Sequence, residues 1–355
     1  DERGEESTCP AEMRGGMGRM QFLRVLLLRL ATTAVTLVGV AVIVFFVIRV
    51  VPGNPIAMML PPGATEADIA HLTALYGLDK SLPAQFFIWA GDVLHGDFGT
   101  SITTRQPVLG LVLGRLPATL ELSVMALVMA VIIGGFAALV GTKRRGTRVE
   151  GAIDVANGMA LSVPDFLWGL VLILAFGVLV PVFHISGRVT PSLELPFTTN
   201  FYLFESLLRL RFDLWLDIVG HMLMPALALA IPLAAIIGQL LKQSLKETMH
   251  LDYVTLARTK GYGESHVILR EALRNAVLPT LTLVGVQFTF LIGGTVIIER
   301  LFSYEGLGNM AIDAVINRDL PLIQGIVILF AVIFTGVNLV VDLLYAALNP
   351  RLRHA

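Results

Sequence analysis

The sequence predicts an all-α membrane protein with six transmembrane helices. Of its 355 residues, 55% are hydrophobic and only 15% are charged, and the mean hydropathy is +0.77. Soluble domains of ordinary composition carry roughly 25% charged residues, so a chain with this little charge cannot cover its whole surface for water. We therefore expect lipid to form part of its solvent.

Six apolar segments have the length that a transmembrane helix requires, which is about 20 residues. They contain no Asp, Glu, Lys or Arg, as expected for helices embedded in lipid. The third segment is the shortest, and Pro181 near its end makes its boundary the least defined. The predicted spans are residues 30–48, 122–140, 166–183, 222–241, 276–298 and 320–341.

Lys and Arg concentrate in the connection between spans two and three and in the connection between spans four and five. Because cytoplasmic loops of membrane proteins carry an excess of these residues, six crossings with this bias predict that both termini are cytoplasmic. Residues 51–119 then form an external loop and residues 242–275 a cytoplasmic loop. The polar, aperiodic residues 1–19 are expected to be a disordered extension, and residues 20–355 the transmembrane domain.

The external loop is too long to be a mere connector, and its pattern predicts two short amphipathic helices. We expect both to pack against the spans or to lie at the membrane interface, and packing is the favoured role. The first helix has Ile69, Leu72 and Leu75 on one face. The second has a cluster made of Phe86, Phe87, Trp89 and Leu94.

Several function classes find no support in the sequence. The net charge is −1 and there is no basic stripe interleaved with aromatic residues, so nucleic acid is not expected as a partner. The single cysteine, Cys9, cannot form an internal disulfide and provides no metal or redox signature. A phosphate-binding Gly-x4-Gly-Lys-Ser/Thr loop is absent. We therefore expect neither a bound cofactor nor a metal in this chain, and no ATP hydrolysis by it.

The cytoplasmic loop contains a predicted short helix over residues 252–261. Asp252 favours its N-terminal end, because a negative charge there interacts well with the helix dipole. Arg258 and Lys260 favour the last turn for the same reason, and Gly261 is the type of residue that ends a helix. The pattern predicts a helix that stops at a glycine joint.

One side of this helix is expected to face a partner. Tyr253, Leu256 and Ala257 have helical spacing and predict a small apolar face. A second helix, with Arg270 and Arg274 one turn apart, then leads into span five. Pressure on the first helix would move spans four and five together. An ordinary basic inside loop is the alternative explanation of the same charges.

The residues of this loop match a known pattern. The general importer pattern, Glu-Ala-Ala, three residues, Gly, nine residues and Ile-x-Leu-Pro, is matched only at Ala257, Gly261 and Leu273. One branch has its own version of this loop pattern, which reads Asp-Tyr-Val-x-x-Ala-Arg-x-Lys-Gly followed by Ala-Leu-Arg-Asn-Ala-x-Leu-Pro. It is matched at Asp252, Tyr253, Val254, Ala257, Arg258, Lys260, Gly261, Ala272, Leu273, Arg274, Asn275, Ala276, Leu278 and Pro279. In this respect the chain resembles the transmembrane subunits of ABC importers of the dipeptide, oligopeptide and nickel permease family.

The resemblance extends over nearly the whole chain from Met20. Other segments that look like family landmarks are residues 52–55, 76–79, 96–99, 116–122, 225–229 and 349–353. The chain departs from the family pattern at Asn54 and at Asn349, where Asp is the commoner choice. Both departures lie away from the cytoplasmic loop.

The resemblance implies a type I ABC importer permease fold in the bacterial inner (plasma) membrane. It implies a complex with a second homologous permease, two ATP-binding subunits and a periplasmic or lipid-anchored solute-binding protein, with ATP and Mg bound by the partner subunits. Family members move dipeptides, longer peptides, glutathione, nickel complexes or certain sugars, and we expect peptides here. The residues implied to couple this chain to the ATPase are Asp252, Tyr253, Leu256, Ala257, Arg258, Lys260, Gly261 and Arg274.

An ion-gradient-driven secondary transporter or channel is the main alternative. Such proteins carry ionisable residues at mid-membrane depth, whereas here Glu121, Asp165, His221, Glu299 and Asp342 lie at span ends. We expect these residues to cap, to pair or to stabilise a gate, with Glu121 and Glu299 at the external mouth. An intramembrane enzyme is disfavoured, because the spans contain neither a His-Glu-x-x-His pair nor a Gly-x-Ser-x-Gly elbow.

Overall fold

The structure is a computed structural model that describes residues 11–50, 79–193 and 197–348. Within these ranges the chain is almost entirely helical, which confirms the predicted fold class. The helices are α1 (Ala11–Val50), α2 (Leu82–Leu94), α3 (Val108–Lys143), α4 (Arg148–Ser162), α5 (Asp165–Leu172), α6 (Tyr202–Leu208), α7 (Phe212–Thr248), α8 (Asp252–Thr259), α9 (Glu264–His266), α10 (Leu273–Leu301), α11 (Leu307–Ile316) and α12 (Leu320–Leu348). Two π-helical segments, Ile173–Leu179 and Val267–Ala272, follow α5 and precede α10.

Five helical stretches in the described part of the chain are long and apolar enough to cross a membrane. They coincide with the first, second, fourth, fifth and sixth predicted spans, although most of them extend several residues further. Their limits are Leu27–Val47, Val108–Lys143, Phe212–Thr248, Glu264–Leu301 and Leu320–Val341.

The third predicted span, residues 166–183, has a different form. Helix α5 and its π-helical continuation end at Leu179 and are bent by 105° from α4. The bend falls at Val163 and Pro164, because a proline lacks the backbone N–H and forces the residue before it out of the helical conformation. The two parts make a sixth crossing only if they are counted as one span. The six crossings, and the cytoplasmic placement of both termini, therefore stay predictions.

Helices α3 and α7 pack backbone to backbone at the centre of the bundle. A β-carbon on Gly134 of α3 would overlap the carbonyl oxygen of Ala234 on α7, and it would lie 3.0 Å from the amide nitrogen of Gly238. Small residues permit such a close crossing of helices in lipid. Seven of the twenty buried residues in the surrounding core are alanines, among them Ala126, Ala130, Ala228 and Ala230.

The second predicted amphipathic helix of the long loop is present as α2. Its Phe86 and Trp89 rings lie 5.3 Å and 5.4 Å from the ring of Phe45 on α1, measured between centroids. Such aromatic pairs stabilise packing beyond the area they bury. The expected packing of this helix against a span is therefore confirmed. The first predicted helix, with Ile69, Leu72 and Leu75, lies outside the described residues.

The N-terminal helix is longer than the sequence predicts. Helix α1 begins at Ala11, so the second half of the expected disordered extension is helical. Glycines weaken a helix, and they made this segment look irregular. Extending an existing helix is easier than starting one, and the apolar run that follows provides that helix. Residues 1–10, 51–78, 194–196 and 349–355 lie outside the described part of the chain.

Candidate functional site

The short helix that the sequence predicts over residues 252–261 is present as α8 and is packed against the rest of the chain. It lies between the C-terminal end of α7 and the N-terminal end of α10. Its Val254 and Ala257 side chains are only 0% and 6% exposed. Because they pack into a cluster shared with α3, α7 and α10, a displacement of α8 must act on those helices. The other buried members of this cluster are Ala138, Leu241, Leu245, Met249, Val267, Ile268, Ala272 and Ala276.

The two ends of α8 have the chemistry that the sequence predicts. Asp252 lies in its first turn and Arg258 in its last. Gly261, just beyond the helix, has a φ of +84°, a left-handed conformation that glycine adopts without strain. The guanidinium of Arg258 reaches across the turn to the carboxylate of Glu264 at 2.8 Å. Both the glycine conformation and this ion pair define the turn after α8.

The exposed side of α8 is centred on Leu256, which is 55% exposed. Tyr253 is 37% exposed and lies at the edge of this side, where its hydroxyl accepts a hydrogen bond of 2.7 Å from the amide of Asn275. The expected common face of Tyr253, Leu256 and Ala257 is divided in the structure. Ala257 points with Val254 into this chain's own core, so it packs under α8 instead of lying on its exposed side.

The basic residues around α8 all face solvent. Lys260, Arg270 and Arg274 are exposed. Arg270 lies in the π-helical segment Val267–Ala272, where the sequence predicts a regular helix. Such π-helical turns inside α-helices are frequent at functional sites.

The Glu299 carboxylate lies at the far end of α10 from α8 and is fully buried. It accepts a hydrogen bond of 2.7 Å from the hydroxyl of Thr119, one of 2.7 Å from the amide of Gly308 and one of 3.1 Å from the amide of Asn309. A β-carbon on Gly306 would overlap this carboxylate. Glu299 therefore fixes the turn between α10 and α11 to the N-terminal third of α3.

The Glu121 carboxylate is also buried and holds a second connection. It forms an ion pair of 2.7 Å with Arg188 and accepts a hydrogen bond of 2.9 Å from the amide of Leu203. Arg188 donates in turn to the carbonyl of Asn200 at 2.5 Å, and its guanidinium lies 3.9 Å from the centroid of the Tyr202 ring. The segment before α7 is thereby attached to α3.

Sequence reasoning did not find the partners of these two carboxylates. Thr119 lies within a family landmark, but a single threonine gives no signal for a contact with Glu299, 180 positions away. Arg188 lies in a loop with no periodic pattern. Asp319, which is fully buried and accepts hydrogen bonds from Ser101 at 2.6 Å and Thr103 at 3.0 Å, was also missed.

These features define a polytopic helical membrane protein with a short helix, exposed on one side, anchored between two spans. The family described as "Binding-protein-dependent transport system inner membrane component" matches residues 130–354. The N-terminal part, described as "Binding-prot-dependent transport system membrane comp, N-term", matches residues 22–123. The chain belongs to this family. It is the inner-membrane permease component of an ABC importer.

Three relatives illustrate the similarity. The di/tripeptide transport system permease protein DppB of Pseudomonas aeruginosa is 36% identical over 92% of this chain and 97% of its own length. The dipeptide transport system permease protein DppB of Escherichia coli K12 is 37% identical over 94% of this chain and 99% of its own. The oligopeptide transport system permease protein AppB of Bacillus subtilis is 31% identical over 90% and 95%. The similarity thus spans nearly the whole of each protein.

Proposed function

We propose that this chain is the channel-forming subunit of a peptide importer. It pairs with a second homologous permease, with two ATP-binding subunits that hold ATP and Mg, and with an external solute-binding protein. The peptide substrate rests on the three relatives described above, whose names refer to dipeptides, tripeptides or oligopeptides. ABC importers are driven by ATP hydrolysis. Membership of this family therefore disfavours transport driven by an ion gradient.

The position of α8 is the observation on which the proposed mechanism rests. Its buried side, Val254 and Ala257, is joined to α7 and α10, while its exposed side is available to another protein. Closure of the ATP-binding subunits would press on the exposed side. Because apolar packing is dense and barely compressible, the force would pass to both spans together.

Helix α10 would transmit that force to the other side of the membrane. At 1.5 Å per residue, the stretch from Ala276 beside α8 to Glu299 is roughly 35 Å long. Glu299 and Glu121 hold the connections at that end, so we propose that they stabilise the external gate. Movement of α10 would then exchange outward and inward openings by alternating access.

The proposed contact with the ATP-binding subunit has a centre and a charged rim. Leu256 and Tyr253 provide the apolar centre, and Gly261 sets the end of the helix. Ala257 supports the helix from below by packing. The exposed charged residues that surround the centre are Asp252, Arg258, Lys260 and Arg274.

The test uses the reconstituted complex in proteoliposomes and compares two neighbouring glycines. Gly261→Val places a β-branched residue at a φ of +84°, which costs about 1–2 kcal/mol and reorients the end of α8. Gly263→Val is the matched control, because Gly263 has an ordinary φ of −66° and open space around it. ATP hydrolysis and uptake of a radiolabelled dipeptide are measured together.

We expect Gly261→Val to hydrolyse ATP while uptake per ATP falls several-fold, and Gly263→Val to keep the wild-type ratio. Leu256→Asp should weaken co-purification of the ATP-binding subunit, because it buries a charge in the apolar centre of the contact. Unchanged coupling in Gly261→Val, together with normal assembly of Leu256→Asp, would remove the basis of the proposal. The peptide class fails separately if no di-, tri- or oligopeptide is taken up or competes for uptake by the active complex.

A further inference from the structure

Three possible metal ligands meet at the end of α7 that is far from α8. They are His184, in the segment after the π-helical continuation of α5, and Asp217 and His221, which are one turn apart on α7. One ligand atom from each lies within 4.8 Å of the others. In the ranges that the structure describes, it is the one group of three or more His, Cys, Asp or Glu residues with this geometry.

The two imidazole rings lie face to face. The rings of His184 and His221 are stacked, with centroids 3.8 Å apart and planes 10° apart. Nδ1 of His221 lies 2.9 Å from the carbonyl oxygen of Asp217 and 3.6 Å from its carboxylate. A neutral imidazole that donates from one nitrogen keeps a lone pair on the other, and such a hydrogen bond is the usual support of a metal-binding histidine.

The surroundings hold this group in place. His221 is 4% exposed, so its ring has little freedom. The Asp217 carboxylate accepts hydrogen bonds from the amide of Thr190 at 2.9 Å and from its hydroxyl at 2.6 Å. The ring of His184 lies beside Gly220, where a β-carbon would make an ordinary contact of 3.5 Å with Nδ1 of His184. His184 itself is exposed and gives an ion access from solvent.

We propose that His184, Asp217 and His221 bind one divalent transition-metal ion of the Zn²⁺ type. Two imidazoles and one carboxylate favour such an ion over Mg²⁺ or Ca²⁺, which prefer oxygen ligands alone. Bonds of about 2.0–2.1 Å at a tetrahedral angle place two ligand nitrogens roughly 3.4 Å apart. The stacked rings have nearly parallel planes, whereas a metal lies in the plane of each imidazole that binds it, so the exposed ring of His184 would rotate on binding. Water would occupy the fourth position.

The bound ion would fasten the segment around His184 to α7. That segment follows the bent third span, and apart from the ion it is held to α7 through Thr190 and Asp217. The sequence predicts no metal site, because Asp217 and His221 alone look like an ordinary helical pair and His184 lies in a loop without any ligand spacing. Only the fold brings the third ligand to the other two.

The test measures Zn²⁺ binding by the full-length chain, purified in detergent with an affinity tag that contains no histidine. After removal of metals with a chelator, ZnCl2 is titrated in a calorimeter, and bound zinc is counted by mass spectrometry. The variants are His184→Asn and Asp217→Asn. The matched control is His95→Asn, because His95 is also a helix-end histidine whose Nδ1 lies 2.7 Å from a carbonyl one turn earlier, but it is not part of the group.

We expect one zinc per chain in the wild type and in His95→Asn, and an affinity at least about tenfold weaker in His184→Asn and Asp217→Asn. Zinc should also raise the melting temperature of the wild type but not that of His184→Asn. Since His184 is exposed, the metal-free variant should melt like the wild type, which keeps the comparison valid if Asp217→Asn folds poorly. Equal zinc affinity in His184→Asn, or no stoichiometric binding by the wild type, would overturn the proposal.

Discussion

The hydroxyl of Thr119 donates a 2.7 Å hydrogen bond to the carboxylate of Glu299 and accepts one of 2.8 Å from the amide of Leu307. Both ends of this contact are buried, and they belong to α3 and α10. A single hydroxyl thus joins two spans and the turn that follows one of them. The cost of losing it should exceed that of an ordinary surface hydrogen bond, because the groups left behind cannot reach water.

Replacing Thr119 by Val should destabilise the protein by about 1–3 kcal/mol, since it leaves the amide of Leu307 and one carboxylate oxygen without their partner. Thermal unfolding in detergent measures the loss. Thr282→Val is the control, because the Thr282 hydroxyl is exposed and makes only a 3.4 Å contact. Equal stability of the two variants would show that the buried contact contributes little.

Replacing Gly306 by Ala should displace the turn between α10 and α11. The added carbon would overlap the Glu299 carboxylate, and the surrounding hydrogen bonds leave it no room to move. We expect a loss of about 1–3 kcal/mol, as for other overpacked sites, measured by unfolding in detergent. Gly293→Ala in α10 is the control because nothing lies within 4 Å of its added carbon. A harmless Gly306→Ala would contradict this account of the turn.

Replacing Gly134 by Ala should separate α3 from α7. The new carbon would overlap the carbonyl oxygen of Ala234, which is backbone and cannot rotate away. The adjacent Gly135 has nothing within 4 Å of its β-carbon position, so Gly135→Ala should be tolerated. Yield of folded protein and melting temperature distinguish the two variants. The crossing would have to be looser than described if Gly134→Ala matched Gly135→Ala.

Replacing Glu205 by Gln should remove a pH-dependent part of the stability. Hydrogen bonds from the Thr199 hydroxyl and from the amides of Thr198 and Thr199, together with the nearby Arg209 guanidinium, lower the pKa of Glu205 from 4.5 to about 2. A carboxyl with a lowered pKa stabilises the fold above its unfolded pKa, and this stabilisation is lost as the pH falls towards the folded value.

The wild type should therefore melt at a higher temperature than Glu205→Gln at pH 7. The difference should shrink as the pH is lowered from 4.5 towards 2, measured by thermal unfolding in detergent across that range. A difference that stays constant over this range would mean that the ionised Glu205 carboxylate is not its source.

The sequence predicts those parts of the fold for which physical chemistry permits only one backbone conformation. A run of about 20 apolar residues in lipid must satisfy its backbone within itself, so a helix follows. The third span was less predictable because Pro164 and Pro181 compete with its apolar character. The outcome depends on packing against α7, which no local pattern reveals.

The candidate site divides in the same way. The ends of α8 were predictable, because helix dipoles and the conformational freedom of Gly261 are local effects. The side of α8 on which Ala257 lies was not, since Tyr253, Leu256 and Ala257 have equally helical spacing and only the neighbouring spans decide which is covered. Contacts such as Thr119 with Glu299, or His184 with His221, join distant positions and depend on the finished fold.

The π-helical segment Val267–Ala272 also constrains how the length of this chain can vary. A π turn closes its hydrogen bonds one residue later than an α turn, so it accommodates one additional residue without lengthening the connection. Removing that additional residue would leave a regular α-helix, with the segments on either side in nearly the same relative orientation. A single-residue deletion within Val267–Ala272 should accordingly be tolerated, whereas a deletion inside the regular helix α10 would rotate the residues on one side of it by about 100° relative to those on the other.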